Sequence, residues 1–331
     1  MQKKGWSENY DRPLYIETGA NSAFWFAADA ELLFAAEGIL GSETNSIYTN
    51  IFGSENISYY RDKYRLACEI KDICTNSGYE HSVFMFLHGF NIREFSLNDY
   101  RGFIACQDNI QGKLLGVPDS STVEEFEDLK IFNNYLETMA YFANVDKYID
   151  EIFSLAEELR TSHFYETLDK YKNSILSMEK SMTQTLANTE PMDYSDQLMR
   201  KDIKRRGPYS FFTFSPSVFA YRTIRFMKED QFLFTTVRDA LYDNAYILSA
   251  LKAITDDTRF KIIALLKERK TMQGVDIAAE IGLTAPTVSH HMKILKAAGL
   301  VLEENEGNSK YYHIPKDLAN TLADMIHVFL S

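Results

Sequence analysis

Between Thr284 and Lys296 the chain reads TAPTVSHHMKILK, and its polar groups fall on one side of a helix. Val288, Met292 and Leu295 recur at i, i+4 and i+7 and so face inward, leaving Thr287, Ser289, His290, Lys293 and Lys296 outside. Short hydroxyls and an imidazole near the N-terminal end of such a helix have the reach and the donor–acceptor chemistry to read base edges in a major groove. Lysines further along pair with phosphates. On this pattern Ser289, His290 and Lys293 are candidates for contact at or near the bases, and Thr287 and Lys296 hold the backbone. Thr284 caps the helix at the same DNA-facing end. His290 and His291 are neighbours about 100° apart around a helix, so they cannot chelate one metal ion together.

Three segments must hold that helix. In TDDTRFKIIALL, Thr255 or Asp256 is expected to cap a helix whose stripe is Phe260, Ile263, Ala264 and Leu266. A second helix, about Gly274 to Ile281, buries Val275, Ile277, Ala278 and Ile281, and Gly282-Leu283 makes the tight turn before Thr284. Pro286 sits in the first turn of the third helix, where a missing N–H does little harm. After Gly299, Leu300-Val301-Leu302 begins a strand, Glu303 to Ser309 turns around Gly307, and Lys310 to Ile314 returns. This is a wing, with Lys310 as a further phosphate contact. Its turn is acidic: Glu303, Glu304 and Glu306 are expected to repel phosphates that come within a Debye length, about 8–10 Å at physiological salt.

Three pieces, LKAITDDTRFKIIALL, TAPTVSHHMKILKAAGLV and the closing SKYYHI, together resemble the ArsR/SmtB-type winged helix-turn-helix repressors. The resemblance covers about the last quarter of the chain, Leu248 to roughly His327. It implies double-stranded DNA as partner and a homodimer formed through the helices that flank the module. Both flanks, including Leu318, Leu322, Met325, Ile326 and Phe329, are apolar enough for that. It also suggests metal sensing, since many relatives carry a Cys-x-Cys before the recognition helix. The matching stretch here is TMQGVDIA, with Gln273 and Val275 where the thiolates would stand. A second type of site, on the C-terminal helix, would find only Asp324 and His327. Zinc needs three or four converging ligands, so no metal and no cofactor is expected.

At 331 residues the chain is too long for that module alone, and 45% hydrophobic with 14% aromatic residues is ample for a second core. The expected division is 1–238 and 239–331. The expected fold class is mainly α: the winged helix-turn-helix plus a larger helix-rich N-terminal domain with a few strands. The net charge of −12 is unlike a DNA-binding protein, yet residues 248–315 hold nine Lys/Arg against eight Asp/Glu, a balance of +1, so the acidity of −13 lies elsewhere. No apolar run opens the chain, and the most apolar stretch, Ala23 to Leu40, carries Asp29, Glu31 and Glu37, each costly in a bilayer. A soluble cytoplasmic protein without membrane contact is expected. Cys68, Cys74 and Cys106 are too few and odd in number for a disulfide framework. Glu69 and Asp72 argue against a reactive thiol beside them.

In the N-terminal part, PLYIETG alternates as a strand and FWFAADAELLFAAEGIL fits a helix with Phe24, Ala27, Ala28, Leu32 and Ala35 along one side. Tyr59 to Ile73 is another helix, Ser82 to Leu87 is open between helix and strand, and Gly89 to Asp119 reads as irregular. Thr122 to Thr189 is helical almost throughout, with a stripe of Val123, Phe126, Leu129, Phe132 and Leu136 and with breaks near Asn144 and His163. A basic cluster follows in MRKDIKRRGP. FFTFSPSVFAYRTIRF and QFLFTTV then read as strands, with Pro216 marking an edge or bend. No GxSxG, P-loop, HExxH or paired Cys-His is present, so no catalytic residue is assigned. The abundant Tyr and Phe either fill a core or line a pocket for a small-molecule effector. The expected function is a homodimeric, sequence-specific transcription regulator, a repressor in type. The alternative is a protein-binding regulator that keeps the fold with weak DNA affinity, to which the acidic wing points.

Overall fold

A computed structural model describes residues 10, 12–41, 46–77, 81–117, 119–199, 209–220, 224–227, 230–237, 244–306 and 309–315, with positions 318, 322 and 326. The basic cluster at 200–206, the Gly307 turn and most of the C-terminal segment, including Met325, Phe329, Asp324 and His327, lie outside the described residues. The chain divides into two compact units between Ala240 and Leu241.

The first unit opens with β1 (Leu14–Gly19) and β2 (Ser22–Phe26), an antiparallel hairpin. Helices follow: α1 (Ala28–Leu40), α2 (Ser46–Phe52), α3 (Ser54–Lys63), α4 (Arg65–Ser77), α5 (Leu97–Ala105), α6 (Ile110–Leu114), α7 (Val123–Asp128), α8 (Tyr135–Glu158), α9 (Ser162–Leu186) and α10 (Pro191–Met199). The chain then returns to the sheet as β3 (Phe212–Ser217), β4 (Ile224–Met227) and β5 (Gln231–Thr236). Strand order is β1-β2-β3-β5-β4, with β2, β3 and β5 parallel and β1 and β4 antiparallel at the edges.

Burial explains where sequence periodicity misled. Every residue of β2 and β3 is buried, and β2 accordingly carries the near-continuous apolar run SAFWF instead of alternation, while β3 buries Thr213, Ser215 and Ser217 among its apolar residues. Phe24 is accordingly a strand residue, not part of the helix expected from Phe24 to Ala35, and α1 starts only at Ala28. Trp25 donates its indole N–H to the Ile92 carbonyl at 3.0 Å and meets Phe95 and Phe234 edge-on. Pro216 lies in a central strand, not at an edge. The β2–β3 ladder ends at Phe24–Phe214, so Pro216 stands beyond the last recorded pair on that side.

The expected break at Asn144 is absent: α8 runs through it, the amide Nδ2 donating to Ala140 O at 2.8 Å, and the break falls at Leu159–Thr161. The stripe from Val123 to Leu136 is interrupted, because α7 stops at Asp128. Phe126 and Phe132 are buried while Leu129 and Leu136 are 51% and 78% exposed. The segment expected as one helix from Tyr59 to Ile73 is two, divided at Tyr64. Val83–Leu87 is a short 3-10 helix, and the stretch expected to be irregular contains α5 and α6.

The carboxylates of α1 are its ties to the rest of the unit. Asp29 accepts from the Leu97 N–H at 2.9 Å and pairs with Arg160 at 2.8 Å. Glu31, 2% exposed, accepts the backbone N–H groups of Val218 and Phe219 at 2.8 and 3.1 Å. Glu37 accepts from Ser82 Oγ and the Val83 N–H, with Lys71 Nζ at 3.7 Å. Asp29 and Glu37 thus accept N–H groups left unpaired at helix starts, and Glu31 accepts two just beyond the end of β3. Cys68 and Cys74 are buried, and burial pushes the Cys74 thiol up to about 12, which makes it a poor nucleophile. Among the described residues no helix is long and apolar enough to cross a membrane.

Candidate nucleic-acid interface

The second unit begins with α11 (Asn244–Ile254) and α12 (Asp257–Arg269). Asp256 caps α12 by accepting from the Arg259 N–H at 2.9 Å. Arg259 in turn donates to the Ala253 and Lys252 carbonyls at 2.7 and 3.1 Å, closing the end of α11. The α12 stripe differs from the expected one: Ile262 and Leu266 are buried, Ile263 is half-buried, and Phe260 and Ala264 face outward. β6 (Thr271–Gln273) follows, a strand too short to show any period in the sequence. Gln273 donates its side-chain amide to Tyr311 Oη at 2.7 Å.

α13 (Gly274–Ile281) buries Ile277 and Ala278, whereas Val275, expected inside, is 59% exposed. Gly282 has φ +70, the left-handed turn that closes the helix and that a β-carbon would strain. α14 (Ala285–Ala297) buries Val288, Met292 and Leu295 against the unit's core. β7 (Leu302–Glu306) and β8 (Ser309–His313) form the wing, and β6 joins them in the order β6-β8-β7.

The residues singled out on α14 are brought to one open face. Thr284, Thr287, Ser289, His290, Lys293 and Lys296 are all exposed, as is Lys310 on β8. Thr284 is the cap: its Oγ1 accepts from the Thr287 N–H at 3.4 Å and lies 2.8 Å from Thr287 Oγ1. Both hydroxyls are therefore engaged with each other at the start of the helix. Thr284→Ala is expected to lower the stability of this unit by about 1 kcal/mol, read by amide hydrogen exchange of its helices. His291 turns inward instead, its Nδ1 3.9 Å from Asp256 Oδ1, while His290 points out.

The wing acids do not act as three equal free charges. Glu303 pairs with Lys296 at 2.8 Å and Lys310 at 3.4 Å, so two of the lysines assigned to phosphates already have a carboxylate partner. Lys293 has no ion pair among the described residues. Glu304 is half-buried, and the side chain of Glu306 lies outside what is described. Sequence reasoning missed the Glu303 pairing because it joins a helix end to two strands of the wing. Among the described residues no cluster of three His, Cys, Asp or Glu side chains is placed to hold a metal ion.

Known proteins match this same region. A family described as "Bacterial regulatory protein, arsR family" matches residues 256–302. An uncharacterized HTH-type transcriptional regulator of Methanocaldococcus jannaschii, MJ1325, is 37% identical over 75 residues, which are 23% of this chain and 84% of that one. The transcriptional repressor SdpR of Bacillus subtilis is 39% identical over 66 residues, 20% of this chain and 72% of its own. A homolog of the cadmium resistance regulatory protein CadC from Staphylococcus aureus is 31% identical over 78 residues, 24% of this chain and 64% of that one. By these matches the chain belongs to the arsR family of bacterial regulatory proteins through a DNA-binding regulator domain in its last quarter.

Proposed function

We propose that the protein is a homodimeric, sequence-specific transcriptional repressor whose first unit receives an effector. The observation that carries this is the exposed Ser289–His290–Lys293 face on a helix whose opposite side is locked by Val288, Met292 and Leu295. A helix so held presents its N-terminal half to base edges while the lysines near its end meet phosphates. In this role Ser289, His290 and Lys293 read bases, and Thr284, Thr287, Lys296 and Lys310 hold the backbone. Dimer formation through flanking helices is supported by Leu248 on α11, 51% exposed. Two recognition helices related by a two-fold axis fit half-sites about 34 Å apart.

We place no thiolate-based metal switch at Gln273 and Val275, since Gln273 is hydrogen-bonded to Tyr311 and Val275 offers no ligand atom. An organic effector is favoured by a cleft of about 450 Å³ in the first unit, lined by Ile51, Phe52, Tyr60, Leu159, Thr161 and His163. That size lies within the range of small-molecule sites. The protein-binding alternative draws on Glu303, which neutralises part of the basic face.

Selection from a pool of random duplexes by the full-length protein tests the proposal. Enrichment of an inverted repeat with half-sites about one helical turn apart is expected. Failure to enrich any sequence would favour the protein-binding alternative.

A further inference from the structure

Glu303 is held on every side. Its side chain is 16% exposed and sits between Lys296 Nζ, 2.8 Å from Oε2, and Lys310 Nζ, 3.4 Å from Oε1. Tyr312, directly opposite in the β7–β8 ladder and buried, donates its phenol to the same carboxylate. Burial by itself would raise this acid. The hydrogen bond and charge of Lys296, and then the charge of Lys310, hold it net below the usual carboxylate range. The carboxylate is therefore ionised at neutral pH, and the three charges at the junction of recognition helix and wing sum to +1 instead of +2.

We propose that Glu303 sets the affinity of the DNA interface by pairing with the ammonium groups of Lys296 and Lys310, so that these lysines meet phosphates either with part of their charge neutralised or after leaving the carboxylate. This rests on the DNA-binding role proposed above and assigns Glu303 a part in it. A carboxylate oxygen and a phosphate oxygen are the same kind of acceptor for an ammonium group. A lysine that leaves the carboxylate for DNA therefore exchanges one charged partner for another, and one that keeps it brings a neutralised charge, so either gains less than a free lysine would. The abandoned carboxylate keeps Tyr312 but loses its cations in a half-buried place. Its charge also remains within a Debye length, about 8 Å, of the incoming backbone. Glu304 differs in kind: it forms no ion pair among the described residues, so it acts only at long range.

The test compares full-length wild type, Glu303→Gln, Glu304→Gln, and Glu303→Gln combined with Lys296→Gln and Lys310→Gln. Fluorescence anisotropy follows binding to a duplex selected by the wild type and to a random-sequence duplex, between 50 and 200 mM salt. Glu303→Gln is expected to bind both duplexes about 3- to 10-fold more tightly at the lower salt, with the slope of log affinity against log salt steeper by roughly 0.9 for each lysine freed. Glu304→Gln should change affinity by less than about 2-fold, and the combined variant should lose the gain. Unchanged or weaker binding by Glu303→Gln would overturn the proposal, because Glu303 would then be positioning the lysines. An equal gain from Glu304→Gln would also overturn it, reducing the effect to general repulsion.

If the wild type selects no duplex, the DNA-binding role has failed, but retention on heparin still reports the lysines. Later elution of Glu303→Gln supports their release, and co-elution with wild type sinks it. Unfolding temperatures check the wing, and Glu303→Ala is the second variant should Gln disturb it.

Discussion

Replacing Ser289 and His290 together by alanine is expected to weaken binding to the selected duplex by about 10- to 1,000-fold while leaving binding to random DNA within a few-fold of wild type. Each base-edge contact is worth about 1–3 kcal/mol of discrimination, and phosphate contacts carry no sequence information. Both side chains are exposed and neither packs in the core, so their truncation leaves the helix in place. Unchanged far-UV circular dichroism and melting temperature should accompany the loss. Lys293→Ala is expected to reduce binding to both duplexes, and more for the selected one, because it stands between the base-facing end and the phosphate-facing end. Competition titrations at one fixed salt concentration measure these differences. Equal losses on specific and random DNA for the Ser289/His290 pair would assign that face to the backbone and move base reading elsewhere.

The second large effect concerns pH and the first unit. Glu31 is wholly buried, and burial pushes its carboxyl up to about 7, although hydrogen bonds from Ser217 and from the Phe219 and Val218 N–H groups work against the rise. A carboxyl whose folded value lies above its unfolded one, 4.5, binds its proton more tightly in the folded state. Its contribution to stability is therefore full below pH 4.5, falls as pH rises towards 7, and is flat above. With about 1.4 kcal/mol for each pH unit between the two values, the loss is on the order of 3 kcal/mol across that window.

Both tryptophans of the chain, Trp6 and Trp25, precede residue 240, so tryptophan fluorescence follows this unit alone. Urea titrations from pH 4.5 to 8 should show the midpoint falling for wild type, and Glu31→Gln should remove most of that slope. Glu31→Ala should be less stable at every pH by about 2–4 kcal/mol, since two buried N–H groups lose their acceptor. A wild-type midpoint that rises with pH across this range would mean the carboxylate is stabilised where it sits.

The two units were legible to very different degrees. In the second, each helix packs one face on a small core, so 3.6-residue periodicity survives. The cap at Thr284, the turn at Gly282 and the outward face of α14 could all be read from residue types. Even there the stripe of α12 differs in part: Leu266 is inside as expected, but Ile262 takes the place of Phe260, because both are apolar and only packing chooses between them. In the first unit the sheet is covered on both sides. A run such as SAFWF then carries no alternation and is indistinguishable in sequence from the start of the apolar helix that follows it.

What the sequence determined by itself was local: helices, caps, turns, the apolar and polar sides of α14, and through them the DNA-binding family. Tertiary structure alone decided which charges are free. In the sequence Glu31 and Glu37 are only acids interrupting an apolar stretch, yet in the fold they accept buried backbone N–H groups from segments many residues away. Lys296, Lys310 and Glu303 looked like two phosphate contacts and a separate repulsive acid, yet they form one cluster. The physical reason is range. Helix and turn preferences act over a few residues and are written in order along the chain. Ion pairs and hydrogen bonds between elements depend on distances of about 3 Å that exist only after the chain has folded.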